Sequence, residues 1–171
     1  MTQIYPSILE LPQDKVRDEL DKLVGLADTI HFDVADGKFV SRNNLELMSP
    51  AFIDSLQWTG GKNVHLMCQN PGSYFDSFIA VGSNEIIFHQ SACEKPMELI
   101  DELKEKGVRP GLALSPDSPL DKIAPFADSI DSLLLMSVYP GAGGQPFIEA
   151  TLHKIKLAKK LFPRLKIIVD G

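Results

Sequence analysis

Two hydrophobic rhythms alternate along this chain. Short apolar runs are separated by longer stretches in which apolar residues return every third or fourth position. A strand repeats its facing side chains with period two and a helix with period near 3.6, so the first pattern predicts strands and the second helices. Strands are expected at 4–9, within 29–40, and at 63–68, 85–88, 109–114, 132–138 and 165–169. Helices are expected at 12–27, 51–56, 71–81, 97–106, 120–126 and 147–162. In the first of these Val16, Leu20, Leu23 and Val24 form one stripe among charged neighbours. The run Leu133-Leu134-Leu135-Met136 shows no polar alternation, as expected of a strand covered on both faces.

Strand and helix alternate through about seven β-α units, which predicts an α/β fold with a parallel sheet. No composition break marks a linker, so residues 1–171 are expected to form one domain. The choice between an open sheet and a closed one follows from where the polar residues fall. His31, Asp33, His65, Met67, Met136 and Asp170 lie toward the C-terminal ends of several separated strands. An open sheet gathers its site at one switch point, whereas a barrel brings many strand ends onto one face. The expectation is therefore a TIM (β/α)8 barrel.

The stretch around which the rest is organised is TIHFDVADGKFV, residues 29–40. On a strand, His31 and Asp33 share one face while Ile30, Phe32 and Val34 share the other. Such a pair either satisfies itself as a buried polar contact or ligates a divalent metal, since imidazole and carboxylate both suit zinc, iron, manganese or cobalt. The long polar loop that follows, 37–50, is of the kind that carries function.

Composition then removes several classes. The chain is 44% hydrophobic and 23% charged, with a formal net charge of -6, which speaks against a nucleic-acid or anionic-membrane surface. Its basic cluster, Lys154, Lys156, Lys159 and Lys160, fits the solvent face of a helix. Cys68 and Cys93 lie far apart in no ligand-like spacing, so a reduced, cytoplasmic setting is expected. No apolar run reaches membrane-span length, and Met1 leads into a strand-like segment instead of an export signal.

Four motifs in order resemble the signatures of ribulose-phosphate 3-epimerases: HFDVADGKFV, VHLM at 64–67, LLMSVYPGAGGQPF at 134–147 and IVDG at 168–171. The resemblance implies an isomerase that interconverts ribulose 5-phosphate and xylulose 5-phosphate by inverting carbon 3. It implies one divalent metal ion, zinc first, held by His31, Asp33, His65 and Asp170, with Asp33 and Asp170 also acting as the acid-base pair. Ser7 would hydrogen-bond the substrate, and Met67 and Met136 would line the site, although both also suit plain barrel filling. The loop Pro140-Gly141-Ala142-Gly143-Gly144-Gln145 would form one wall of the phosphate site, with Gly141, Gly143 and Gly144 as contacts. A homo-oligomer, dimer or hexamer, is implied as well, with a small phosphorylated ketose as the only other partner.

The chain departs from that pattern in places. Ala35 stands where the family usually has another methionine, and Ser91 where it has an acid, so His89 reads as structural. The segment SRNNLELMSP, 41–50, replaces a proline-asparagine-rich one, which keeps an allulose 6-phosphate 3-epimerase open as the alternative. The family pattern would continue beyond Asp170-Gly171 with another helix, strand and phosphate loop. The reading therefore expects a barrel cut after the seventh predicted strand, with weak or absent turnover on its own. A non-catalytic sugar-phosphate binder would share the scaffold, but has little chemical reason to keep both aspartates and both histidines. A metal-free phosphosugar lyase or decarboxylase would present a strand-end lysine, and Lys38 and Lys62 do not lie at such a position.

Overall fold

A computed structural model describes residues 2–171. Strands β1 (Thr29–Ala35), β2 (Gly61–Met67), β3 (Glu85–His89), β4 (Arg109–Leu114), β5 (Ser132–Met136) and β6 (Lys166–Asp170) pair in that order, every pair parallel. Helix α1 (Val16–Leu23) precedes the first strand, and α2 (Pro50–Ser55), α3 (Phe75–Ala80), α4 (Pro96–Glu105) and α5 (Ala150–Leu161) run between the strands. The connection from β4 to β5 is a 3-10 helix, Leu120–Phe126, with Pro125 inside it. A proline supplies no amide hydrogen, so a longer regular α-helix is disfavoured there.

The sheet curls. Six strands laid flat at about 4.8 Å spacing would hold the first and last more than 20 Å apart. Yet the His31 side chain on β1 approaches that of Asp170 on β6 to 3.9 Å. The architecture is thus the expected α/β barrel type, present as a curled arc of parallel strands. Alternation along each strand separates its two faces. Ile30, Phe32, Val34, Val64, Leu66, Ile86, Phe88, Leu112, Leu133 and Leu135 face outward into one continuous core with the helices. Inside the arc Ile87, Ala113, Leu134, Met136 and Val138 form a smaller cluster. The polar residues His31, Asp33, Asn63, His65, Glu85, His89 and Ser132 are buried as well.

Several expected elements change in extent. The strand predicted at 4–9 is reduced to an isolated parallel bridge, Ser7 with His31, and one backbone bond from His31 N to Pro6 O at 2.9 Å. Pro6 cannot donate to a ladder, which limits pairing there. The helix predicted at 12–27 stops at Leu23, before Gly25, whose φ of 78° is left-handed. The helix predicted from 147 begins at Ala150. Lys154 leaves the expected solvent face and donates to the carbonyls of Ser115, Pro116 and Ser118. Both cysteines are free. Among the described residues no helix is long and apolar enough to cross a membrane.

The outward core holds the arc in shape. Phe88 is fully buried and packs against Phe75 with the rings tilted by 49° and their centroids 5.9 Å apart. Phe88→Ala is expected to cost about 3–5 kcal/mol through lost transfer energy and the cavity left behind. Urea unfolding checks this as a fall in midpoint at unchanged slope.

Candidate metal centre

The parallel register of β1 against β2 sets Asp33 beside His65 and His31 beside Asn63. All four side chains point into the arc, because they occupy the same parity on their strands. Asp170 closes the group from the far end of β6. One ligand atom each from His31, Asp33, His65 and Asp170 lies within 4.8 Å of the others. His31 Nε2 is 3.1 Å from Asp33 Oδ1, and His65 Nδ1 is 3.0 Å from the same oxygen. Asp170 Oδ2 is 3.4 Å from His65 Nδ1. Three of the four are buried, and the Asp170 side chain keeps 22% exposure, so the cluster opens to solvent on that side.

Supporting bonds hold each member. The Ser7 hydroxyl donates to Asp33 Oδ2 at 2.7 Å. The long loop after β1 folds back so that buried Asn44 accepts from Ala35 N at 2.7 Å and donates to Asp33 O at 2.9 Å. His31 Nδ1 lies 2.6 Å from Asn63 Oδ1. His65 Nε2 lies 3.0 Å from His89 Nε2. His89 is itself packed on Phe39, with centroids 4.7 Å apart, and its Nδ1 has no partner among the described residues.

Burial alone would lower the pKa of both clustered imidazoles, but the carboxylates outweigh it. His31 is raised, with Asp33 the leading cause after burial, and His65 is raised to about 9 by Asp170 and Asp33. Asp33 moves the other way: burial opposes its charge, yet the two histidines hold it well below the usual carboxylate range. His89, buried and beside His65, is pushed well down. Two acids drawing protons onto two imidazoles mark a place where positive charge is favoured between them. The donor set, two imidazoles and two carboxylates converging from three strands, fits a divalent transition metal.

The other expected residues fall around this cluster to different degrees. Met67 and Met136 are buried at the ends of β2 and β5, and Met136 is in register with Asp170. Gly141, Gly143 and Gly144 lie in the loop after β5 and are not members of the ligand cluster. Gly141 has a φ of 115°, and a Cβ there would meet the Val40 side chain at 3.2 Å, so glycine is required. Gly143 N donates to Glu10 Oε1 at 3.1 Å, and Arg42 also binds that oxygen at 2.6 Å. Sequence reasoning passed over Asn63, Glu85 and Asn44. Asn63 and Glu85 could have been found by parity: each lies on an inward position, two before His65 and four before His89.

Asp36 ties the strand ends together, accepting from Lys38 N at 2.8 Å, Phe39 N at 3.0 Å and Gln69 N at 2.8 Å. Burial raises its pKa, but these amides prevail and the net shift is downward. With the folded pKa below the unfolded value of about 4, this stabilisation is complete above that pH and lost as pH falls through the folded value. Asp36→Asn is expected to lose about 1–3 kcal/mol at neutral pH. The gap from the parent should narrow below about pH 4, read by urea unfolding at both conditions.

Comparison with known proteins gives a consistent result. The profile of the ribulose-phosphate 3 epimerase family matches residues 3–171. The rice (Oryza sativa subsp. japonica) protein named "Ribulose-phosphate 3-epimerase, cytoplasmic isoform" is 34% identical over 175 residues, covering 99% of this chain and 76% of its own length. The Bacillus subtilis ribulose-phosphate 3-epimerase is 35% identical over 179 residues, covering 100% of this chain and 81% of its own. Among solved structures, a mutant tryptophan synthase alpha-subunit from Pyrococcus furiosus superposes with a TM-score of 0.69 at 16% identity, over 97% of this chain and 75% of that one. That last likeness concerns the fold alone.

Proposed function

The chain belongs to the ribulose-phosphate 3 epimerase family, and from that membership we propose that it is an isomerase inverting carbon 3 of a ketopentose phosphate, between ribulose 5-phosphate and xylulose 5-phosphate. The observation that carries this reading is the convergence of His31, Asp33, His65 and Asp170 at one mouth of the arc. These four would hold a divalent ion, zinc first on donor type and iron, manganese or cobalt next. Bound there, it would act as a Lewis acid toward the substrate's oxygens.

The chemistry left to the chain itself is proton transfer. The proton on carbon 3 lies next to a carbonyl and is removed to leave an enediolate. One carboxylate taking and returning that proton would restore the starting sugar. Inversion needs a second carboxyl group on the other face, and Asp33 on β1 and Asp170 on β6 would be the two, one on each side of the sugar's plane. In one direction Asp33 accepts the proton and Asp170 delivers its own; in the other the roles exchange.

Ser7, which donates to Asp33, would orient that carboxylate and hydrogen-bond a substrate hydroxyl. Met67 and Met136 would supply an adaptable apolar floor. The phosphate would sit on the loop of Gly141, Gly143 and Gly144. Support comes from Gly143 N, which already donates to a carboxylate oxygen, the kind of anionic acceptor a phosphate presents. We further propose a single barrel domain acting in the cytoplasm as a dimer or hexamer.

Purified protein is expected to contain a stoichiometric divalent metal by elemental analysis and to wash solvent deuterium into carbon 3 at the weak rate expected of residues 1–171 alone. Asp33→Asn and Asp170→Asn should each slow interconversion of the two epimers by at least about a hundredfold. An Asp170→Asn variant that interconverts the two epimers at the parent rate would end the two-carboxylate reading. Faster turnover of allulose 6-phosphate than of ribulose 5-phosphate would select the six-carbon alternative, and sugar binding without label exchange would select a binder.

A further inference from the structure

Glu85 is almost wholly buried inside the arc, and its Oε1 has no partner among the described residues. All its contacts fall on Oε2: Asn63 Nδ2 at 2.9 Å, Lys166 Nζ at 3.2 Å and Arg109 Nη2 at 3.9 Å. A carboxylate kept only for stability would be expected to use both oxygens, since a buried acceptor left without a donor is costly. The one-sided arrangement aims a fixed acceptor at Asn63.

That aim has a chemical consequence. An amide has one accepting end and one donating end, and which faces which neighbour is decided by the hydrogen-bond network. Lys166 Nζ and Arg109 Nη2 both approach Oε2, and an oxygen that faces two cationic donors meets Asn63 as an acceptor. Asn63 must therefore turn its Nδ2 toward Glu85 and its Oδ1 toward His31, 2.6 Å from Nδ1. Nδ1 of His31 must then carry a hydrogen, which leaves Nε2 as the atom that faces Asp33 and Asp170.

We infer that Glu85 and Asn63 are positioning residues that set, through a buried relay, which nitrogen of His31 is presented to the metal site. This rests on the metal-site reading above. Hydrogen-bonded partners behind a ligating histidine orient the ring and fix its tautomer, and their loss typically lowers metal affinity 10–100-fold. Lys166, which anchors the outer end of the relay, also lies over the Tyr5 ring at 4.6 Å. The last strand and the first segment of the chain are thereby joined to the same chain of contacts.

The test replaces the fixed acceptor by a group that can either donate or accept. In Glu85→Gln the amide of Asn63 loses its reason to face one way. Zinc affinity, measured by chelator competition, should fall about 10–100-fold. The slowly exchanging His31 Nδ1 proton, read by nitrogen-edited NMR of the metal-free protein, should weaken or broaden. The double variant Asn63→Asp with Glu85→Gln reverses the polarity: the new carboxylate accepts from His31 and from the glutamine amide, so both signals should return. Asn63→Asp alone sets two carboxylates against each other and should bind zinc weakly, which keeps the comparison informative if Glu85→Gln does not fold.

Glu85→Gln with unchanged zinc affinity and an unchanged Nδ1 proton overturns the relay, as does a folded double variant no better than the weaker single one. Because the proton signal is read without metal, a parent chain that binds no zinc would count against the metal-site reading and leave the relay standing on its own result.

Discussion

The register of β1 against β2 is the constraint on which the site depends. Parallel pairing places Asp33 beside His65 and His31 beside Asn63. A slip by one residue would turn these side chains outward and bring Ile30, Phe32 and Val34 into the arc. That slip is opposed from both faces. Outside, three apolar side chains lose a packed core; inside, a carboxylate loses two imidazoles and a serine hydroxyl. The same alternation that stabilises the sheet therefore positions the chemistry, and neither can be changed alone.

The interior of the arc carries many buried polar side chains. Larger barrels of this type are filled with branched apolar layers. Here Ile87, Ala113, Leu134, Met136 and Val138 make up one part of that filling, while Asn63, Glu85, Ser132 and the histidines occupy another. Burying so many polar groups is tolerable only where they satisfy one another. Most do, through the bonds from His31 to Asn63 to Glu85 and from His65 to His89. Among the described residues the buried side-chain atoms left without a partner are Glu85 Oε1, His89 Nδ1, Ser83 Oγ and Ser132 Oγ.

Loops beyond the strand ends complete the frame. Asn44 pins the backbone at Asp33 and Ala35, and Asp36 gathers amides from its own turn and from Gln69 after β2. Glu10 joins Arg42 and Gly143, so segments that follow three different strand positions meet around one carboxylate. Segment 41–50, which departs from the family pattern, is thus tied by hydrogen bonds to the strand that carries the site.

Much of this was legible in one dimension. Period-two alternation in residues 29–35 and 63–67 and the apolar run at 132–136 reveal the strands, and shared parity puts His31 with Asp33 and His65 with Met67. Those signals are local, carried by neighbours within a few residues, so a sequence states them directly. The reduction of the 4–9 strand to a single bridge, the placing of Asp170 within reach of His31, and the chain of contacts from Lys166 through Glu85 and Asn63 to His31 belong to tertiary structure. They depend on how far the sheet curls, and curvature sums small twists over every strand pair, a quantity that no short stretch of residues encodes.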